Sequence, residues 1–131
     1  MTGFETAVQP LTAYVVESQL LLVPYLLELL ERAKIDVVGV APRLDTATLS
    51  ELDPDIVFID PEFDVAFPRE IVRLARATVP HARICVYVSA GDVADYRSAG
   101  ADAVIPKELD ADAFVESMST LMGRGHRRPE Q

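Results

Sequence analysis

The segment Asp53-Pro54-Asp55-Ile56-Val57-Phe58-Ile59-Asp60 carries the strongest indication of the fold. Its first three residues form turns readily, the next four are apolar, and the run ends on a carboxylate. An apolar run of this length without alternation of polar and apolar residues predicts a strand that is covered on both faces. We therefore predict a buried parallel strand over residues 56–59, with Asp60 at its carboxyl end.

Similar short runs and helical segments alternate along the rest of the chain. Four further apolar runs predict strands at residues 14–16, 37–40, 84–88 and 103–105. Segments with helical spacing of apolar residues lie at 20–33, 46–52, 68–78, 92–99 and 110–122. This alternation is typical of a parallel sheet covered by helices, so the predicted fold is α/β, a single doubly wound (βα)5 domain.

The 131 residues fit one domain. We predict an N-terminal extension over residues 1–11, the domain over residues 12–122 and a basic flexible tail over residues 123–131. The last segment holds three arginines against one glutamate, whereas the whole chain has a formal net charge of −9. A body this acidic repels a phosphate backbone, so we expect no direct binding of nucleic acid.

Two further observations restrict the compartment. Cys85 is the only cysteine, which excludes an intramolecular disulfide and a cysteine-rich zinc site and favours the cytoplasm. The most apolar stretch, residues 20–30, is interrupted by Pro24 and Glu28 and is too short to span a bilayer, which needs about 20 apolar residues. We therefore expect no membrane insertion.

Polar residues stand directly after four of the predicted strands. Glu17 and Ser18 follow the first, Asp60 the third, Ser89 the fourth and Lys107 the fifth. Ligands of open α/β sheets bind beyond the carboxyl ends of the strands. Carboxylates can hold a divalent cation there, while an ammonium group and a hydroxyl group contact a phosphoryl group.

The sequence resembles the receiver domains of two-component response regulators over about residues 12–121. The likeness rests on Val15-Val16-Glu17-Ser18, on the segment 53–60, on Val88-Ser89-Ala90, and on Ala99-Gly100-Ala101-Asp102-Ala103 with the following Lys107. The resemblance implies a flavodoxin-like sheet with strand order 2-1-3-4-5. It also implies transfer of a phosphoryl group from a sensor histidine kinase or a phosphotransfer protein.

By this resemblance each residue at the strand ends has an expected role. Asp60 is expected to accept the phosphoryl group, and Lys107 and Ser89 are expected to contact it. Glu17 and Asp60 are expected to hold Mg²⁺, together with the backbone carbonyl of Glu62.

The sequence departs from the family pattern at several positions, of which Ser18 and Val104 bear most directly on metal binding and switching. Ser18 replaces the usual second acid of the metal pocket and is a poorer ligand for Mg²⁺. It is equally well interpreted as the N-cap of the first helix. Val104 stands where the family has an aromatic residue that rotates on activation, so that rotation is absent here. Magnesium binding and switching are both expected to be weakened.

The predicted function is that of an atypical, stand-alone receiver. We do not expect an independent enzyme, because hydrolase and nucleotide-binding motifs are missing from the sequence. We expect 131 residues to leave no room for an attached DNA-binding domain. Output is then expected through a downstream protein or a homodimer, using the last two helices and strand 5 with Val93, Tyr96 and Val104. The alternative is a pseudo-receiver that binds partners without phosphorylation.

Overall fold

The computed structural model describes residues 10–62, 67–89 and 93–123. Within them, five parallel strands form one sheet. The strands are β1 (Leu11–Val16), β2 (Ile35–Ala41), β3 (Ile56–Ile59), β4 (Arg83–Val88) and β5 (Ala103–Pro106). Their spatial order is β2-β1-β3-β4-β5, which confirms the predicted flavodoxin-like topology.

Helices connect the strands on both faces of the sheet. They are α1 (Val23–Arg32), α2 (Thr46–Leu52), α3 (Pro68–Thr78), α4 (Val93–Ala99) and α5 (Ala111–Leu121), with a short 3-10 turn at Leu20–Leu22. None of the helices in the described part of the chain combines the length and apolar character needed to cross a membrane.

Two hydrophobic cores lie on opposite faces of the sheet. In the first, Phe58 of β3 and Tyr87 of β4 pack against α1 and against Phe114 of α5. In the second, Val57 and the neighbouring strands pack against α2, α3 and α4. Because β3 is covered on both faces, all four of its residues are fully buried, which agrees with the unbroken apolar run in the sequence.

Strand β2 departs most from the prediction of strands covered on both faces. It lies at the edge of the sheet, and its exposure alternates along the strand, with Val38 and Val40 exposed. The prediction was wrong here because an outermost strand is covered well on one face only.

The helix starts follow local chemistry. Pro24 lies in the first turn of α1, where a proline needs no amide hydrogen, and α1 is therefore a regular helix. The Asp45 carboxylate accepts hydrogen bonds from the first turn of α2, and the Asp110 carboxylate accepts one from the Ala113 amide in α5.

Two aspartates of the family-like motifs stabilise the amino-terminal edge of the sheet. Asp55 Oδ2 accepts a hydrogen bond of 2.8 Å from the Thr12 amide. Asp102 Oδ2 accepts a hydrogen bond of 2.8 Å from the Ile84 amide and also contacts the Arg76 guanidinium. These two carboxylates therefore have a structural role, far along the strands from Asp60.

Gly100 ends α4 with a positive φ of 122°. A Cβ atom at this position would lie 3.2 Å from Arg76 Cβ. Both the backbone conformation and the close approach of Arg76 favour glycine at this position directly after a helix.

Candidate functional site

The ladder of the sheet continues one residue past the strands and brings the polar residues together. Val16 pairs with Ile59, and the Asp60 amide donates a hydrogen bond of 2.9 Å to the Val16 carbonyl. Glu17 and Asp60 are therefore neighbours at the carboxyl edge. The Lys107 amide likewise donates to the Val88 carbonyl at 2.8 Å, which places Lys107 beside the end of β4.

Asp60 is a buried carboxylate, 3% exposed, at the end of a central strand. Its Oδ1 atom accepts a hydrogen bond of 3.1 Å from the Glu62 amide. Its Oδ2 atom lies 2.9 Å from Lys107 Nζ. The charge of this buried carboxylate is thus balanced by one ammonium group, as buried charges require.

Glu17 is a second buried carboxylate, only 1% exposed. Its Oε2 atom accepts a hydrogen bond of 2.9 Å from the Gln19 amide, whereas Oε1 has no hydrogen-bond partner among the described residues. Burial, followed by the Asp60 carboxylate, raises the pKa of Glu17 to about 7. The Gln19 amide and the Lys107 charge act in the opposite direction and do not outweigh these two causes.

Lys107 connects two carboxylates. Its Nζ atom lies 2.9 Å from Asp60 Oδ2 and 2.9 Å from Glu62 Oε1, and it also lies 5.7 Å from the centre of the Tyr87 ring. Burial acts to lower the pKa of Lys107, but the two carboxylates outweigh it and raise that pKa above its ordinary value. Lys107 is therefore a fixed positive charge at neutral pH.

Ser89 contacts Glu62. The Ser89 amide donates to Glu62 Oε2 at 3.0 Å, and the Ser89 hydroxyl donates to Glu62 Oε1 at 3.3 Å. Burial would raise the pKa of Glu62, but Lys107 and Ser89 together hold it below its ordinary value. The resemblance implies a role mainly for the backbone carbonyl of Glu62, and the contacts of its side chain are an additional feature of the site.

Ser18 does not cap the first helix. The residue before α1 is Leu22, and no side chain caps either α1 or the 3-10 turn before it. The N-cap interpretation was wrong because the chain enters the helix through that extra turn. The buried Ser18 hydroxyl has no hydrogen-bond partner among the described residues and follows Glu17 directly.

The predicted partner surface changes at one position. Tyr96 of α4 is only 7% exposed, because its side chain packs in the core between the helices and the sheet. It was therefore wrongly assigned to the surface, because α4 directs this side chain toward the sheet. Val104 is partly buried against the same core, and Val93 is 41% exposed.

The buried carboxylates fit a small divalent cation. Glu17 Oε1 has no hydrogen-bond partner among the described residues and stands next to Asp60. A cation between them would offset the burial and the negative charge of Asp60 that raise the pKa of Glu17. No cluster of three or more metal-ligating side chains occurs in the described ranges. Mg²⁺ needs only one or two carboxylates and retains several waters. Glu17 and Asp60 are therefore a sufficient pair of side-chain ligands.

Comparisons with known proteins identify the fold. The sequence matches no protein-family model and no curated protein. A two-component response regulator of the LuxR family from Aurantimonas is 24% identical, with 93% of this chain and 92% of that chain covered and a TM-score of 0.71. A response regulator from Thermotoga maritima is 20% identical, with 88% and 99% covered and a TM-score of 0.72.

A third structure is a receiver domain that comes from a protein of another kind. The signal receiver domain of a modulated diguanylate cyclase from Desulfovibrio desulfuricans is 21% identical, with 88% of this chain and 96% of that chain covered and a TM-score of 0.70. The similarity to these structures establishes a shared fold. The chain has the fold of response-regulator receiver domains.

Proposed function

We propose that this chain is an atypical response-regulator receiver that accepts a phosphoryl group on Asp60 in a Mg²⁺-dependent reaction. The observation that carries the proposal is the position of Asp60. It is a buried carboxylate on a central strand, with Lys107 Nζ at 2.9 Å and a second buried carboxylate, Glu17, on the neighbouring strand. An ion pair kept only for stability would not need the additional acid beside it.

In the proposed reaction, an oxygen of the Asp60 carboxylate attacks the phosphorus of a phosphohistidine. The new P–O bond forms as the P–N bond breaks, and the electron pair returns to the imidazole of the donor. Lys107 neutralises negative charge on the transferred group, and the Ser89 amide and hydroxyl supply hydrogen-bond donors. Catalysis then consists of positioning and charge neutralisation, as is usual for phosphoryl transfer.

Magnesium has a defined place in this proposal. Glu17 and Asp60 would hold the ion with the backbone carbonyl of Glu62, and a bound Mg²⁺ would offset negative charge on the phosphoryl oxygens. Ser18 supplies a neutral hydroxyl beside this pair in place of a third carboxylate, so we expect weak binding.

The experiment that tests the proposal is phosphorylation of the purified protein. The protein is incubated with acetyl phosphate and Mg²⁺ and its intact mass is measured, with Asp60→Asn treated in parallel. We expect a gain of one phosphoryl group that is lost in Asp60→Asn and in the presence of EDTA. Glu51→Gln, which removes an exposed carboxylate of α2, serves as the matched control and should be phosphorylated normally. No mass gain under any of these conditions contradicts the proposal.

A second function is supported by the contacts of Glu62. The Ser89 and Lys107 groups that would contact a phosphoryl group already contact this carboxylate. Val104 lacks the aromatic ring expected from the resemblance. These features favour a pseudo-receiver that binds a partner protein without phosphorylation. The two functions are distinguished by whether partner binding survives in Asp60→Asn.

Partners and output follow from the proposed function. A sensor histidine kinase or a phosphotransfer protein would supply the phosphoryl group. A downstream protein or a second copy of the chain would bind the surface of α4, β5 and α5, where Val93 is exposed. The cytoplasmic location, the basic tail and the boundaries of the terminal extensions remain predictions from the sequence.

A further inference from the structure

The Glu62 side chain is held by three donors from two different strand ends. Lys107 Nζ lies 2.9 Å from Oε1, the Ser89 amide nitrogen lies 3.0 Å from Oε2, and the Ser89 hydroxyl lies 3.3 Å from Oε1. An ammonium group, a backbone amide and a hydroxyl group form a typical set of donors for an oxyanion. Both oxygens of the carboxylate are therefore engaged by an anion-binding site.

The same lysine connects this anion-binding site to Asp60. Lys107 Nζ is 2.9 Å from Asp60 Oδ2 and 2.9 Å from Glu62 Oε1. An anion bound to Ser89 and Lys107 is thus next to the carboxylate proposed to accept the phosphoryl group. Glu62 occupies the donors that oxygens of that phosphoryl group would use.

The Glu62 backbone is fixed at the same place. Its amide donates to Asp60 Oδ1 at 3.1 Å, so the side chain starts from a point attached to the acceptor residue itself. A ligand tethered over two residues has a high effective concentration, so it competes strongly with a ligand that arrives from solution.

We propose that the Glu62 carboxylate is an internal ligand of the phosphoryl-oxygen site and competes with phosphorylation of Asp60. This proposal rests on the proposed function, since it concerns the same site. Glu62 satisfies Ser89 and Lys107 before phosphorylation, and a phosphoryl group can bind these donors only after the carboxylate has left them. The domain therefore holds a carboxylate where other receivers would hold phosphate.

The decisive measurement is the binding of inorganic phosphate in the presence of Mg²⁺. The Ser89 amide signal is followed by ¹⁵N NMR while phosphate is added to the wild type and to Glu62→Ala. We expect the signal to shift in a saturable way in Glu62→Ala and to remain nearly constant in the wild type at the same concentrations. Cooperative thermal unfolding of each protein establishes that it is folded. Equal phosphate affinity in the two proteins, including no binding by either, overturns the proposal.

A second variant tests whether Glu62 weakens phosphate binding by occupying the donors or only by its negative charge. Glu62→Asp keeps the negative charge but is one methylene shorter, so it reaches Ser89 and Lys107 less well. If the site is blocked by occupancy, Glu62→Asp binds phosphate more tightly than the wild type. If Glu62→Asp behaves as the wild type while Glu62→Ala gains affinity, the effect is one of charge, and the proposal is overturned.

Phosphorylation rates then test the link to function. With acetyl phosphate and Mg²⁺, Glu62→Ala should gain a phosphoryl group about tenfold faster, as expected when an internal ligand leaves the site open in about a tenth of the molecules. Glu51→Gln is the control for loss of a carboxylate elsewhere. If Glu62→Ala alone binds phosphate and none of the proteins is phosphorylated, the result supports Glu62 as an internal ligand and contradicts the proposed phosphotransfer to Asp60.

Discussion

Glu17 and Asp60 are buried carboxylates that directly follow Val16 and Ile59, which lie opposite each other in the register of β1 and β3. Lys107 contacts Asp60, whereas Glu17 Oε1 has no partner among the described residues. The cost of holding this second negative charge is visible in the pKa of Glu17, which is raised to about 7. The energetics of the metal-free site therefore depend on whether Glu17 carries its proton.

The first prediction concerns the pH dependence of stability without metal. The unfolded chain releases the Glu17 proton near the ordinary pKa of 4.5, whereas the folded protein retains it up to about pH 7. Because the folded state binds more protons between these values, the free energy of unfolding falls as pH rises from about 4.5 to 7 and stays low above. The decrease is on the order of 3 kcal/mol.

Urea denaturation in EDTA at pH 5.5 and pH 8 measures about 2 kcal/mol of this decrease, because the rest of it occurs below pH 5.5. Glu62 and Asp45, whose pKa values are lowered, contribute in the opposite direction only at more acidic pH. Glu17→Gln is the matched variant and should be almost equally stable at the two values of pH. If the wild type is as stable at pH 8 as at pH 5.5, the pKa of Glu17 in the folded protein is not raised.

The second prediction is that Asp60→Asn increases stability at pH 8 in the absence of metal. The substitution removes one of two adjacent buried carboxylates, and Lys107 retains Glu62 as its partner. We expect the free energy of unfolding to rise by about 1–2 kcal/mol, because the substitution removes the repulsion between two adjacent negative charges.

Chemical denaturation of Asp60→Asn beside Asp36→Asn provides the comparison. Asp36 is exposed on β2, so its substitution removes the same charge from the acidic chain without entering the site. A marked loss of stability in Asp60→Asn would mean that the ion pair with Lys107 stabilises the fold more than the repulsion from Glu17 destabilises it.

The third prediction concerns Lys107, whose side chain is 16% exposed and balances two carboxylates. Lys107→Met leaves Asp60 and Glu62 without their cation and should lower the free energy of unfolding by about 2–4 kcal/mol at pH 8. Adding Asp60→Asn to this variant should restore a large part of the loss, since it removes the buried charge that is left unpaired.

A double-mutant cycle at positions 60 and 107 measures that coupling. Lys34→Met removes an ammonium group from an exposed position and should change stability little. If Lys107→Met is no less stable than Lys34→Met, the two contacts at 2.9 Å contribute nothing to the fold.

Much of the fold was predictable because its elements obey simple periodicities. The unbroken apolar run 56–59 is buried on both faces as predicted, and the Asp45 and Asp110 carboxylates cap the helices that follow them. The edge position of β2 changed its exposure, and Tyr96 turned inward, because these properties depend on which neighbours cover an element and not on the local pattern.

The sequence was sufficient to predict which residues lie close together in the candidate site, because the carboxyl ends of parallel strands lie at the same edge of the sheet. The side-chain contacts of Glu62 were not predictable in this way. Glu62 follows the strand in a loop, where no periodicity sets the direction of a side chain. Its contacts with Ser89 and Lys107 arise from the spacing of β3, β4 and β5, which only the three-dimensional structure supplies.

The fourth prediction distinguishes the structural role of Asp102 from the proposed functional role of Lys107. Asp102 accepts a hydrogen bond from the Ile84 amide and contacts Arg76, whose guanidinium also donates to the Gly100 and Ala82 carbonyls. Asp102→Ala leaves a partly buried guanidinium and an amide without this acceptor. We therefore expect a loss of about 1–3 kcal/mol in the free energy of unfolding.

Asp112→Ala is the matched control for this variant. Asp112 also pairs with an arginine, Arg32, but its side chain is 92% exposed, so the loss should be at most about 0.5 kcal/mol. Under conditions where both variants are folded, Asp102→Ala should be phosphorylated by acetyl phosphate as fast as the wild type, whereas Lys107→Met should not. A phosphorylation defect in folded Asp102→Ala would mean that the contacts at the amino-terminal edge influence the site at the carboxyl edge, because Asp102 itself contacts none of the residues there.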